Sequence, residues 1–169
     1  MSFGATPATV RAAITSRIAG LSVPSSLQQA DTDALREADE PFMPGWEPSP
    51  RAHLAFFVDD RALDSIDGSP HYDGEIEVDA PIVIRVLHAA RPFATDARTD
   101  WDNSGALGIW LLGRLLDSSW TSDAESEFTL RLPRGPVMSR VPEVERDGGW
   151  ILLELRIVVR YTLSLAPAP

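Results

Sequence analysis

The chain has 169 residues, a formal net charge of −10 and no cysteine, and all 15 of its basic residues are arginines. Disulfides, thiolate nucleophiles and cysteine zinc sites are therefore excluded. The acidic balance argues against gripping nucleic acid, because replacing condensed counterions on a phosphate backbone needs cations.

The length is that of one ordinary domain, here expected to span residues 1–169, and such a chain buries about 70% of its unfolded surface. With 44% hydrophobic residues it has the material for a core. No apolar run approaches the roughly 18 residues of a membrane span, so no membrane partner is expected. The opening MSFGATPATV lacks the basic start and apolar stretch of a secretory signal, which predicts folding in the cytoplasm of the producing cell.

Thr6-Pro7 reads as an N-cap followed by proline at the first helical position. Val10, Ile14, Ile18 and Leu21 recur at helical spacing, and Gly20 with Pro24 closes a helix over about 7–19. Residues 24–52 then form a proline-rich acidic arm. It holds Pro24, Pro41, Pro44, Pro48 and Pro50, the acids Asp31, Asp33, Glu37, Asp39 and Glu40, and an apolar cluster of Phe42, Met43 and Trp46. Those three side chains either plug the domain's own core or dock a partner; loops of this length in small domains are usually functional or mobile.

HLAFFV (53–58) predicts a strand, and the turn-rich stretch 59–74 a long hairpin connection. From Glu75 to Ala89 apolar and polar residues alternate, predicting a second strand with an edge position or a bulge at Pro81, which has no N–H to donate. A second helix is predicted over about 102–117, with Leu107, Ile109, Leu111, Leu112, Leu115 and Leu116 as a broad apolar stripe. EFTLRL (127–132) is a short strand, and 133–149 reads as a loop bearing Arg134, Arg140 and Arg146. From Ile151 every second residue to Leu165 is apolar, while Glu154, Arg156, Arg160, Thr162 and Ser164 mark a face that is wet or shared with a partner. About fifteen residues is long for a strand, so it bends or extends beyond the domain. Residues 166–169 form a frayed tail. These elements give an α+β fold, a mixed and mostly antiparallel sheet with two helices on one side and long loops.

No pattern selects a catalytic site. His53, His71 and His88 have no helical metal-ligand spacing and read as solvated or hydrogen-bonded side chains. Asp64, Asp67, Asp73 and Glu75 do not follow the spacing of a twelve-residue calcium loop and read as a charged turn. There is no Gly-rich phosphate loop and no Gly-x-Ser-x-Gly elbow. The expectation is a protein that is not an enzyme and carries neither cofactor nor metal.

TPATVRAAITSRIAGL, IVIRVLHAARPFATDARTDWDNSGALGIWLLGRLL and GGWILLELRIVVRYTLSL together resemble the first helix, the strand–linker–helix unit and the terminal strand of bacteriophage tail-terminator (tail-completion, neck) proteins. The resemblance implies a structural virion protein, assembled in the host cytoplasm. It would form a homo-oligomeric ring, commonly a hexamer, seated on the tail tube protein and facing the head-side connector. Heterologous contacts that close on rotation would build such a ring. Arg134, Arg140, Arg146, Arg156 and Arg160 are the residues expected to meet neighbours' carboxylates, as arginine's planar fork suits. The acidic excess would line a lumen through which DNA passes without specific binding. A small ligand-binding or enzymatic α+β domain and an acidic adaptor or immunity-type protein are the alternatives.

Overall fold

The computed structural model describes residues 7–27, 33–38, 53–61, 68–70, 75–90, 97–117, 128–145 and 148–164. Phe42, Met43, Trp46, Arg146 and the acids Asp64, Asp67 and Asp73 lie outside them.

Two long strands carry the architecture. β4 (Glu75–Ala90) and β7 (Gly148–Ser164) pair antiparallel without a break from Glu75↔Ser164 to Ala90↔Gly149. Shorter strands complete a seven-stranded sheet: β1 (Arg36–Glu37), β2 (Ala55–Asp59), β3 (Gly68–Pro70), β5 (Phe128–Arg131) and β6 (Met138–Glu145). The order is β1-β2-β4-β7-β5, with β3 beside β4 and β6 beside β7. β1 and β2 run parallel and every other pairing is antiparallel. The fold is α+β with a mixed, mostly antiparallel sheet.

The period-two pattern sorts the two faces. Val78, Ala80, Ile82, Ile84 and Val86 of β4 stand beside Leu153, Leu155, Ile157, Val159 and Tyr161 of β7 in one buried cluster. Both helices pack there. α1 (Pro7–Ala19) contributes Val10, Ile14 and Ile18 at i, i+4, i+8, and α2 (Ala97–Leu115) contributes Leu107, Leu111 and Leu115 at the same spacing. Fully burying one such side chain contributes about 1.5–3 kcal/mol, so these six dock the helices. The opposite face holds a smaller apolar group, Ala55, Leu87 and Leu152, flanked by Phe57, Val141 and Trp150.

Several expectations shift. α2 starts at Ala97, five residues early, and Ile109 points outward from the apolar stripe. β2 starts at Ala55, because His53 and Leu54 form a turn in which Leu54 adopts φ 61°. That left-handed backbone is held by Leu54 N–H donating to Leu87 O and Leu54 O accepting from Arg36 N–H. Pro81 makes no bulge, since the β4–β7 register runs straight through it. On its other flank it falls between the residues paired with β3 and those paired with β2, a local edge among the described residues. The loop expected over 133–149 is wrong: eight of its residues are β6, which lies along β7 beyond the end of β5. β7 does not overrun its sheet either, because β4 matches its length.

Candidate functional site

Polar chemistry collects in two places. The first is a charge ladder on the sheet face away from the helices. Register places Arg85 of β4 directly opposite Glu154 of β7, and Asp59 of β2 on the diagonal. Arg85 Nε donates to Glu154 Oε1 at 2.9 Å and Arg85 Nη1 to Asp59 Oδ2 at 2.8 Å, all three side chains being buried. Arg61 forks onto Asp59 through Nε (2.8 Å) and Nη2 (2.6 Å). Glu154 Oε2 accepts from Ser139 Oγ at 3.2 Å and from Arg156 Nη2 at 3.4 Å.

The network is charge-compensated, as buried ions must be. Hydrogen bonds from Arg61, with help from Arg85, bring the Asp59 carboxyl down to about 2 against the opposition of its burial. Further along the face Arg160 Nε and Nη2 fork onto Asp79 at 2.7 and 2.6 Å, and Nη1 lies 3.0 Å from Glu77. The fork onto Asp79 holds that carboxyl below its ordinary value.

The second place is the end of the core beneath the His53–Leu54 turn. The rings of His53 and His88 meet edge to face with centroids 5.0 Å apart. His53 Nδ1 accepts a hydrogen bond from Ala89 N–H at 3.0 Å, which puts the proton of the neutral ring on Nε2. That Nε2 is buried without a hydrogen-bond partner. Burial first, then the charge of His88, lowers His53 to about 4, and the carboxylate of Asp100 in the first turn of α2 opposes the shift. A neutral ring with one nitrogen committed to the backbone and the other enclosed is poorly placed for acid–base work on an outside substrate. Among the described residues no group of three or more His, Asp or Glu side chains is arranged to hold a metal ion.

The arginines expected at an interface divide. Arg140 is a strand residue, not a loop residue. It turns to the helix side, donating from Nη1 to Trp101 O at 2.6 Å and stacking 4.2 Å over the Trp101 ring, so it clasps α2 to β6 within one chain. Arg156 and Arg160 lie on the outer face but hold acids of their own chain. Arg134 stands exposed in the turn between β5 and β6. The sequence reading missed the Asp59–Arg85–Glu154 bridge, placing Glu154 on a face that is wet or shared with a partner. A signal existed: β2 and β4 in register put Phe57 opposite Arg85, and the next outward residue of β2 is Asp59. The same register, extended past Phe56↔Val86, brings His53 level with Ala89.

No family model matches this chain, and no curated protein matches it.

Proposed function

We propose that this chain is a structural assembly subunit of the phage tail-terminator type, forming a ring that caps a tail tube and meets a head-side connector. One observation carries the reading: the sheet is closed on one face by both helices and open at its two edges. One edge is the two-residue β1 and the other is made by β5 and β6 end to end along β7, none of them pairing a further strand among the described residues. Open edges with exposed charge are material for subunit contacts. The resemblance of the first helix, the β4–α2 unit and β7 to tail-terminator elements supports the same reading. Asp59, Arg85 and Glu154, and further along Asp79 and Arg160, are spent on one another in the ion-paired ladder, which fits a scaffold better than a reaction site.

The test is the native mass of the purified chain by light scattering, with negative-stain images of the same fractions. Closed rings with a central hole are the expected result, and rings that then cap purified tail tubes and stop their growth separate a terminator from a neck component. A monomer that also ignores tail tubes would sink the proposal in favour of a ligand-binding domain.

A further inference from the structure

We infer that the subunits join edge to edge in a single polarity, the arginine-bearing β5 corner of one copy docking on the acidic β1 edge of the next. This deepens the ring reading and rests on it.

The β1 edge and the β5–β6 corner carry opposite charge. At β1, Asp33 and Glu37 are exposed, and the surrounding stretch 31–40 holds five acids against the single Arg36. At the β5–β6 corner of the other edge, from Phe128 to Ser139, the chain carries Arg131 and Arg134 and no acid, Glu143 and Glu145 lying further along β6. Both arginines are exposed, and Arg131 also lies near enough to Asp79 to help hold that carboxyl below its ordinary value. Between them Leu132 keeps 54% of its surface open, one of two large apolar side chains so exposed among the described residues. An apolar centre rimmed by arginines is the usual composition of a protein contact. On a chain of net charge −10 an exposed stretch without acids is where a like-charged neighbour is repelled least.

The occupant follows from symmetry. Strand order places β1 and β5 at opposite ends of one sheet, four strand spacings or about 19 Å apart. A two-fold contact would set acid against acid or arginine against arginine. A head-to-tail contact sets arginine against acid at every junction, leaves a free edge of each sign at the ends, and is satisfied throughout only when the chain of subunits closes. The partner the β5 corner fits is therefore a second copy of this chain, in the arrangement a ring requires.

Two double variants test this with the full chain, Arg131→Glu/Arg134→Glu and Asp33→Arg/Glu37→Arg. All four positions are exposed, so each variant should keep the wild-type circular dichroism and thermal transition. Each alone should need about tenfold or more protein to assemble, read by sedimentation velocity. An equimolar mixture should regain wild-type assembly, because the first then offers two acidic edges and the second two basic ones. Wild-type rings that persist in either variant, or a folded pair that fails to rescue on mixing, would overturn the edge pairing while leaving the ring. A wild type that stays monomeric at its highest soluble concentration would overturn both.

Discussion

Arg85 sits where three strands exchange charge, and its burial decides what its loss costs. Arg85→Met would leave the buried Asp59 and Glu154 without their shared cation, although Arg61 keeps the first company and Ser139 and Arg156 the second. Breaking a buried ion pair costs about 3–5 kcal/mol, and the remaining partners place this case near the lower end. A urea midpoint series should show it. Arg160→Met removes an equally short fork from Asp79, yet both partners there are open to water. Its midpoint should lie close to wild type. His53 supplies a different test. Its pKa falls from 6.5 to about 4 on folding, so the native ring stays neutral while the unfolded ring takes up a proton. The resulting stability is complete above about pH 6.5 and is lost as pH falls toward 4, by up to about 3 kcal/mol. His53→Gln keeps an acceptor for Ala89 N–H and removes the titration, so its stability should change less across that window. Asp59 acts in a lower one: with its carboxyl brought to about 2, its contribution holds above the unfolded value of 3.8 and is lost between 3.8 and 2.

At the scale of elements, α2 lies close to the sheet because glycine lets it. A Cβ added at Gly108 would stand 2.5 Å from Met138 Sδ and 3.1 Å from Leu153 Cδ1, whereas one at Gly113 would meet nothing within 4 Å. Gly108→Ala should therefore destabilise by about 1–3 kcal/mol, toward the lower figure if the flexible Met138 side chain yields. Gly113→Ala should stabilise by up to about 1 kcal/mol through helix propensity alone. Thermal melts of the two variants should move in opposite directions. The same elements show what a sequence reveals. α1, β4 and β7 were legible because Val10, Ile14 and Ile18 keep a helical period and the long strands a period of two. β6 was not. MSRVPEVE holds a proline, one arginine and two glutamates, with Met138, Val141 and Val144 three apart rather than alternating, and it is a strand because β7 offers it an edge. The outward turn of Ile109 was hidden for a related reason: the apolar stripe of α2 was broad enough to take in Ile109, and only the docked helix decides which part of it faces the sheet. The buried ladder was illegible as a site because alternation marks Arg85 and Glu154 merely as polar. What joins them is pairing between strands 69 residues apart.

At the scale of the whole molecule, two electrostatic effects of different range oppose each other. A net charge of −10 makes every subunit repel every other, while the proposed edge contact is an attraction between groups that touch. Salt separates them by distance. The Debye length falls from about 30 Å at 0.01 M to about 10 Å at 0.1 M and about 3 Å at 1 M. Repulsion summed over centres a subunit's width apart is screened in the first interval, but arginine–carboxylate contacts survive until the second. Assembly followed by light scattering should therefore strengthen from about 0.01 to 0.1 M salt and weaken toward 1 M. A steady rise over the whole range would assign the contact to apolar burial around Leu132 and its neighbours rather than to charge. A steady fall would mean that local pairs outweigh the net charge even at low salt, and then the two reversed-edge variants should show the opposite of the wild-type response: alone they gain from salt, and mixed they lose by it.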